Sequence, residues 1–488
     1  MKEHLLEKKL EKDLEKNVEI LEKKLGVGIS FDVINREFII GGKRVALFFV
    51  DGFAKDDVML MIMQTLYNVK REEIVLNPVK KLIETKIPYI EVDEKDTIGD
   101  CIDSILSGAL ILLVEGENVA IEIDAREYPA RGPEEPDVER VTRGSRDGFV
   151  ETMIFNTALI RRRIRDPQLR IEHLSVGTRS KTDIALCYIE DIANKDLVNL
   201  IRDSIEKIKV DGLPMAEKSL EEFIVKAGYS PFPQVRYTER PDVAAMHLLE
   251  GHVVIICDTS PSVIIAPATI FHHLQHAEEY RQIPVVGTYM RWIRTVAVLF
   301  SMFITPLWLA LSYQREILPK SLSFIGPEKV GNIPLWVQLL IAEIGIDMIR
   351  MATVHTPSPL ATALGIIAAF MIGDIAIQVG LLTPEVVLYL AIAALGTFAT
   401  PSLELGHTLR LFRLFLLSLA AIFQVPGVIG GTLIFLIVAA STKSFGVPYL
   451  WPLIPLNINA LWTIIVRRPV PIAKSRPSAI KPKDEDRT

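Results

Sequence analysis

Apolar residues are unevenly distributed along this chain, and the change falls near Arg291. Beyond it, three long stretches carry no charged side chain: Thr295–Gln314 has twenty residues, Leu414–Thr442 twenty-nine and Ser444–Val466 twenty-three. A helix needs about 20 apolar residues to cross a bilayer core. A spanning segment must also pair its own backbone polar groups, which a helix does. The pattern therefore predicts that these stretches are membrane-spanning helices.

The first residues have a helical period instead. Leu10, Leu14, Val18, Leu21 and Leu25 recur among Glu and Lys, which predicts an amphipathic helix. It packs either on its own domain or, as a coiled coil, on a second subunit. No apolar segment of a signal peptide is present here, so we expect the large N-terminal domain to face the cytoplasm.

The soluble part contains an internal repeat. Val45–Asp57 matches Ile184–Asp196 position for position, and each reads as a buried strand, an acidic turn and the start of an amphipathic helix. Gly108–Ile121 likewise matches Gly251–Ile264, and both predict β-hairpins. Two similar lobes could enclose a small-molecule site or form a rigid assembly surface.

The expected fold class is an α+β soluble N-terminal region, made of two tandem similar α/β subdomains, followed by an all-α polytopic transmembrane domain. The expected domains are an amphipathic N-terminal helix (1–29), the first α/β subdomain (30–128), a linker with the second (129–290), the transmembrane domain (291–468) and a basic, disordered tail (469–488).

Composition narrows the function classes. The formal net charge of −6 over 488 residues gives no reason to expect a nucleic-acid partner. The three cysteines are spread singly, which favours buried thiols over disulfides or a zinc site. Neither a nucleotide-binding glycine motif nor a nucleophile elbow occurs, so we expect no enzyme, no cofactor and no metal.

Three polar groups of the soluble part are candidates for binding. The basic run Arg161–Arg165 ends a predicted helix that begins near Asp147, and it could be solvated, contact a subunit or bind an anionic ligand or lipid. The spacing of His272, His273 and His276 permits metal ligands but favours structural histidines. The turn Asp258–Pro261 places a hydroxyl near an acid without the sequence context of a nucleophile.

A charged stripe lies in the apolar half. Glu343, Asp347 and Arg350 share one face of the predicted helix Leu335–Val354. Charges at membrane depth face water, one another or a pore. The helix could therefore line a pore, or it could lie in the membrane interface with this face in solvent.

A stripe of small residues follows at every fourth position, which allows close helix packing: Ala361, Gly365, Ala369 and Gly373. Asp374 and Gln378 lie just beyond it, as further candidates for polar groups inside the membrane. Further on, Pro426–Gly427 interrupts the apolar run, either as a kink or as the turn of a helical hairpin.

The basic residues predict orientation. Arg291 and Arg294 precede the first span, and basic residues follow the last, so both ends are expected inside. Six crossings, with Leu335–Val354 as the second, place the following basic residues inside as well: Arg350, Arg410, Arg413 and Lys443. Four crossings are expected if Leu335–Val354 is interfacial.

The chain resembles the A-subunit family of bacterial spore germination proteins, called GerA or GerABKA, from about residue 30 to Pro469. The motifs that carry this resemblance are Gly144–Thr152, Asn156–Ile164, Ser230–Gln234 and Thr238–Val243. Within the family, three further stretches look most like a branch other than the nutrient-receptor A subunits: 271–281, 323–326 and 444–452.

The resemblance implies a multi-pass protein of the inner spore membrane, or cell membrane, whose large domain faces the spore core. It implies a ring-shaped homo-oligomer in the lipid bilayer that passes small ions and works with other germination membrane proteins. We therefore expect a cation-permeable channel that triggers or amplifies germination. A non-conducting receptor or scaffold subunit is the alternative, and a transporter ranks third, since no inverted repeat is evident.

Overall fold

The computed structural model describes residues 7–128, 139–225, 230–315, 331–354 and 371–487, together with 319, 321, 325–328 and 365. They fall into two compact units. The N-terminal unit lies within residues 1–228, 235–267 and 470–488, and the helical unit within 229–234 and 268–469. The predicted linker at 129–136 lies outside the described residues.

The N-terminal unit is built from two lobes, which we define as residues 30–128 (lobe 1) and residues 139–225 with 235–267 (lobe 2). Its helices are α1 (Leu14–Leu25), α2 (Asp56–Tyr67), α3 (Pro78–Lys81), α4 (Ile98–Ser107), α5 (Met153–Arg163), α6 (Lys195–Glu206), α7 (Ala216–Val225) and α8 (Pro241–Glu250). Its strands are β1 (Val33–Ile40), β2 (Lys43–Val50), β3 (Val92–Lys95), β4 (Leu110–Val114), β5 (Ala120–Ile123), β6 (Leu169–Val176), β7 (Thr182–Ile189), β8 (Arg236–Thr238), β9 (Val253–Cys257) and β10 (Val263–Ala266).

The two lobes have the same sheet topology. The order is β1-β2-β4-β5-β3 in lobe 1 and β6-β7-β9-β10-β8 in lobe 2, with every neighbouring pair antiparallel. Val45 pairs with Val114, and Ile184 pairs with Cys257. These four residues are the ones that the sequence repeat aligns, so the predicted repeat is confirmed down to its strand register.

Helix α1 belongs to this repeat and packs on its own lobe. Leu14, Val18, Leu21 and Leu25 join the buried core beneath the first sheet, which favours domain packing over a coiled coil. Asn17 exchanges two hydrogen bonds with the backbone of Glu11, six residues earlier. In α5, Asn156 does the same with the backbone of Val150, so both lobes begin with an equivalent helix held by an asparagine.

The helical unit contains α9 (Ile270–Leu274), α10 (Ala277–Arg281), α11 (Pro284–Tyr313), α12 (Leu335–Val354), α13 (Ala376–Gln378), α14 (Pro384–Phe398), α15 (Leu403–Ser441) and α16 (Ile458–Ile465), with β11 (Lys443–Ser444) and β12 (Val447–Pro448). A π-helical turn, Met371–Ile375, precedes α13. By length and composition, two helices of the described chain could cross a membrane, α11 and α15.

Helix α15 is a hairpin of two helices, not one rod. Gln424 has non-helical dihedrals, with φ 54° and ψ −133°, and it separates residues 403–423 from 425–441. The rings of Phe412 and Phe435 are 4.8 Å apart, whereas in a straight helix their positions would lie about 34 Å apart. Of the two structures expected at Pro426–Gly427, the structure has the hairpin.

The third apolar stretch is not a spanning helix, and the prediction for Ser444–Val466 is wrong. Only residues 458–465 are helical, after the short strands β11 and β12. Pro448, Pro452 and Pro455 interrupt the stretch. Each removes an amide donor and clashes with a preceding turn, so a continuous helix cannot form there.

The C-terminal tail also differs from expectation. Residues 470–487 have two short 3-10 turns, and a bridge pairs Ser475 with Asp486. Ile480 is buried, and the amide of Lys483 donates to the carbonyl of Ile192 in lobe 2. The predicted disordered tail is therefore an ordered part of the N-terminal unit.

The hairpin of α15 leads to a prediction about two neighbouring glycines. A Cβ at Gly427 would overlap the carbonyl oxygen of Leu419, whereas a Cβ at Gly430 meets no described atom within 4 Å. Gly427→Ala should cost about 1–3 kcal/mol through overpacking, and Gly430→Ala should be neutral or stabilising because alanine favours helix by about 1 kcal/mol. Thermal unfolding of the purified protein in detergent measures both. Equal melting temperatures for the two variants would contradict this packing.

Candidate functional site

A buried ion pair joins two helices of the helical unit. Glu343 of α12 is only 1% exposed, and its carboxylate lies 2.6 Å from Nε of Arg413 in α15. A second guanidinium nitrogen of Arg413 donates to the other Glu343 oxygen at 2.9 Å. Only this second contact has hydrogen-bond geometry, since Nε and its facing oxygen form an ion pair alone. A charge-assisted hydrogen bond is about twice as strong as a neutral one. Each charge is therefore compensated inside the helical core.

The same cluster extends to four helices. Arg413 also donates to the carbonyl of Ser301 in α11 at 2.5 Å and to the hydroxyl of Thr397 in α14 at 3.3 Å. Arg410, one turn earlier, donates to the Glu343 carbonyl at 3.1 Å and forms an ion pair with Asp347. The two acids and two arginines carry no net charge, which lowers the cost of burying them in an apolar medium.

The members of the predicted charged stripe therefore have different surroundings. Glu343 faces the interior of the unit, whereas the Asp347 side chain is 40% exposed. Arg350 lies on the next turn of α12 and is half-buried. The partners of both acids, Arg410 and Arg413, were expected to be placed inside by the crossing pattern, as flanking charges. Both lie within the first half of α15, and the number of crossings stays a prediction.

A local signal could have identified these partners. Arg410 and Arg413 are three residues apart inside an apolar helix, and Glu343 and Asp347 are four apart inside another. Both spacings place a pair on one helical face. Two acids on one such face and two arginines on another can neutralise each other, which is the pairing that the structure has.

The other predicted membrane residues are less completely described. Asp374 and Gln378 are both exposed on the helical unit, and the described residues give Asp374 no ion-pair partner. Ala361 and Ala369 lie outside the described residues. A Cβ at Gly365 or Gly373 would meet no described atom within 4 Å. Close packing along this stripe stays a prediction.

The basic residues in the first part of the first long helix, α11, are also paired. Glu279, fully buried in α10, accepts a hydrogen bond from Arg291 at 2.7 Å and forms an ion pair with Arg294. Arg291 further donates to the carbonyl of Thr463 at 3.1 Å, and Arg467 donates to the carbonyl of Tyr280 at 2.8 Å. These contacts bring the start of α11 and the end of α16 together, within the helical unit.

In the N-terminal unit, the basic run at the end of α5 has a different role from those expected. The helix begins at Met153, not near Asp147. Arg161 is fully buried and donates to both carboxylate oxygens of Asp32, at 2.9 and 3.0 Å. Asp32 lies in lobe 1, so this pair joins the two lobes. The guanidinium of Arg162 lies 4.5 Å above the ring of Tyr128, a cation–π contact.

The histidines and the acidic turn have structural contacts. His272 Nδ1 accepts from the Thr269 amide at 3.0 Å, and His276 Nδ1 accepts from the Glu278 amide at 3.2 Å, so both cap short helices. His273 contacts the hydroxyl of Ser402. Asp258 accepts from the Met153 amide at 3.0 Å and caps α5. Within the described residues, no His, Cys, Asp or Glu cluster has metal-binding geometry.

Burial suppresses the reactivity of the thiols. It raises the pKa of Cys101 and Cys257 to about 12 and the pKa of Cys187 still further, so all three stay protonated at neutral pH. Burial also lowers the pKa of His252 to about 4, so this histidine is neutral there. The N-terminal unit thus offers buried, inert groups at these positions, and the polar cluster of the helical unit is the stronger candidate for function.

Comparison with known proteins agrees with the motifs. A family model described as Bacillus/Clostridium GerA spore germination protein matches residues 19–479. Stage V sporulation protein AF of Bacillus subtilis (strain 168) is 48% identical over 485 residues, which are 99% of this chain and 98% of that protein. Spore germination protein GerLA of Bacillus cereus is 30% identical over 465 residues, 94% of each chain.

A solved structure matches part of this chain. The N-terminal domain of the A subunit of the Bacillus megaterium spore germinant receptor GerK3 is 29% identical and covers 54% of this chain and 97% of that domain, with a TM-score of 0.43. The two relatives named above carry sporulation and germination names, and the 48% identity to stage V sporulation protein AF agrees with the branch that the sequence motifs favour. This chain therefore belongs to the GerA family of spore germination proteins.

Proposed function

We propose that this protein is an oligomeric, cation-permeable channel that triggers or amplifies spore germination. The observation that carries the proposal is Asp347, an acid 40% exposed on α12, beside the buried ion pairs of the helical unit. Its position lies about 18 Å along a helix of about 30 Å, at 1.5 Å per residue. An acid exposed at that depth must face water or another subunit.

A ring of copies would present one Asp347 per subunit around a shared axis. Rings of carboxylates select for cations in channels. Asp374 would supply a second such ring, since it too is exposed and without a described ion-pair partner. The buried pair of Glu343 and Arg413 would then hold the helices that carry these acids, without itself facing the ion path.

In this proposal α12 is a spanning helix and not an interfacial one. Gln338 and Leu339 near its start and Ala342 and Glu343 at its middle are all buried within the helical unit. A helix lying on a membrane surface would bury a single apolar face in lipid. The proposal also includes six membrane crossings and a location in the inner spore membrane. Both ends of the chain then lie in the cytoplasm or spore core.

The proposal is tested by Asp347→Asn and Asp374→Asn in planar bilayers. Removing one carboxylate near the ion path should cost about 1 kcal/mol of cation attraction, which lowers cation conductance or the cation-to-anion permeability ratio about fivefold. Arg410 keeps its contact with Glu343 in Asp347→Asn, so the variant should still assemble.

Glu385→Gln is the matched control, because this acid lies in the first turn of α14, at a helix end. It should conduct like the wild-type protein. Native mass spectrometry of each variant establishes that the oligomer is intact. An intact oligomer with unchanged conductance in both aspartate variants would refute the acid rings, and a wild-type protein without conductance would refute the channel.

The alternative is a non-conducting scaffold subunit that relays a signal to a partner membrane protein. The packing of the two lobes favours a rigid platform over an open cleft. A Cβ at Gly52 of lobe 1 would lie 3.2 Å from Ile154 and 3.4 Å from Ala158 of α5, so the lobes are in close contact. An intact oligomer of the wild-type protein that shows no conductance in planar bilayers would support this alternative.

A further inference from the structure

The two lobes differ at one edge, next to the end of the second strand of each. In lobe 1 this edge is covered by the chain that directly follows β5. The amide of Glu127 donates to the carbonyl of Phe53 at 2.6 Å, and the hydroxyl of Tyr128 donates to the carbonyl of Ser107 at 2.7 Å. The ring of Tyr128 packs edge-on against Phe53. Lobe 1 is therefore completed by its own continuous chain.

Lobe 2 cannot be completed in the same way. Its last strand, β10, ends at Ala266, and the chain from residue 268 belongs to the helical unit. The C-terminal tail covers the corresponding edge instead. The amide of Lys483 donates to the carbonyl of Ile192 at 2.8 Å, and Nε of Arg476 donates to the carbonyl of Leu249 at 2.9 Å.

The internal repeat relates the contacts of the tail in lobe 2 to those of the segment after β5 in lobe 1. Ile192 corresponds to Phe53 under the spacing that aligns Ile184 with Val45. Glu250, directly after Leu249, corresponds to Ser107 under the spacing that aligns Gly251 with Gly108. The Lys483 amide thus repeats in lobe 2 the bond that the Glu127 amide makes in lobe 1. Arg476 reaches the carbonyl one residue before the equivalent of Ser107. The tail comes from more than 200 residues further along the chain.

Apolar and ionic contacts anchor the tail at this edge. Ile480 is 4% exposed. A Cβ at Gly251 would lie 3.4 Å from Pro482 and 3.6 Å from Ile480, so the tail lies close to this glycine. Arg487 forms an ion pair with Glu250 at 2.5 Å.

We propose that this edge of lobe 2 is a peptide-binding site whose ligand is the chain's own C-terminal tail, docked there as a strap. The ligand class is a short basic peptide with an apolar pair, here Ile480 and Pro482, and an arginine about five residues further on, here Arg487. The tail directly follows the last residues of the helical unit in sequence. Its docking therefore supplies the contacts that cover this edge of lobe 2. This inference does not depend on ion conduction.

The first experiment uses hydrogen exchange of the full-length protein. In the wild-type protein the amides of Arg476, Lys483 and Arg487 are hydrogen-bonded and should be protected. Ile480→Asp places a charge in the apolar anchor and should speed their exchange at least tenfold. Glu485→Gln is the matched control, since this exposed tail side chain makes no described contact, and its exchange should stay at the wild-type rate.

A charge reversal tests the ionic anchor. Arg487→Glu should lose protection of the tail through repulsion from Glu250, and Glu250→Arg combined with Arg487→Glu should restore it. Unchanged protection in both Ile480→Asp and Arg487→Glu would overturn the proposal. Folding of every variant is monitored by hydrogen exchange of the amides in β7 and β9, because these strands contain no residue of the tail.

The second experiment identifies whose tail occupies the site. Light and heavy isotope-labelled full-length chains are mixed during assembly and treated with an amine cross-linker, which should join Lys195 to Lys483, two lysines whose charges lie near each other. Links within one isotope class are expected. Mixed-isotope links at the statistical frequency would show that a neighbouring copy supplies the tail, and they would overturn the assignment to the chain's own tail.

Discussion

Glu343→Gln is expected to destabilise the helical unit strongly. Glu343 is 1% exposed and is the counter-ion of Arg413, which is almost completely buried as well. Its neutralisation leaves a guanidinium in the helical core without its main charge partner. Breaking a buried pair by removing one partner costs about 3–5 kcal/mol. For a unit of this size, that loss corresponds to a fall in melting temperature of roughly 10 °C.

Thermal unfolding and yield of the detergent-purified protein measure this effect. Asp347→Asn is the matched control on the same helix, because Asp347 is partly exposed and Arg410 retains Glu343 nearby. Its melting temperature should change little. A second variant, Glu343→Met with Arg413→Met, replaces both charges by apolar side chains and should recover much of the loss. A wild-type melting temperature for Glu343→Gln would show that the pair contributes nothing to stability.

This expectation differs from the one that the sequence alone supports. On sequence grounds, Glu343 and Asp347 are equivalent members of one stripe, and neutralising both should alter conductance while assembly persists. The structure separates them: Glu343 is enclosed by α11, α12, α14 and α15, whereas Asp347 reaches the surface of the unit. Conduction is therefore better tested with Asp347 and Asp374, and assembly with Glu343.

The lobes were predictable because their pattern is local. Short continuous apolar runs next to tight turns indicate buried strands, and the duplicated sequences align the pairs that the structure forms, such as Val45 with Val114 and Ile184 with Cys257. The helix α12 was predictable for a similar reason, since its bounds coincide with the apolar stretch Leu335–Val354.

The contacts that the sequence did not predict join residues that are far apart along the chain. The pairing of Arg413 with Glu343 spans 70 residues, and that of Arg487 with Glu250 spans 237. Helical spacing shows which charged residues share a face, as Arg410 and Arg413 do, but it does not state which other face they meet. The apolar composition of Ser444–Val466 predicted a spanning helix wrongly, because hydropathy does not count the amide donors that proline removes. The sequence Pro426–Gly427 is compatible with a kink and with a hairpin. Only the structure shows that the chain turns back at Gln424.

Arg161→Ala is expected to loosen the contact between the two lobes. Arg161 and Asp32 are both buried, joined by two hydrogen bonds of 2.9 and 3.0 Å, and Arg161 also donates to the carbonyl of Leu169 at 3.3 Å. Loss of the guanidinium leaves the Asp32 carboxylate buried without its counter-ion and opens a cavity. The expected cost is about 3–5 kcal/mol, the usual range for a broken buried pair.

Hydrogen exchange of the full-length protein measures this cost in each lobe separately, through the amides of β2 and β7. Arg161→Lys should be nearly as damaging, because an ammonium group cannot make the bidentate contact with a carboxylate. Arg163→Ala is the control on the same helix: its partner Asp147 is partly exposed, so water can replace the lost contact and the cost should stay below about 1 kcal/mol. Equal protection in Arg161→Ala and Arg163→Ala would mean that the other contacts hold the lobes together without the ion pair. These are the apolar contact of α5 at Gly52 and the hydrogen bond from the Phe31 amide to the Ile171 carbonyl.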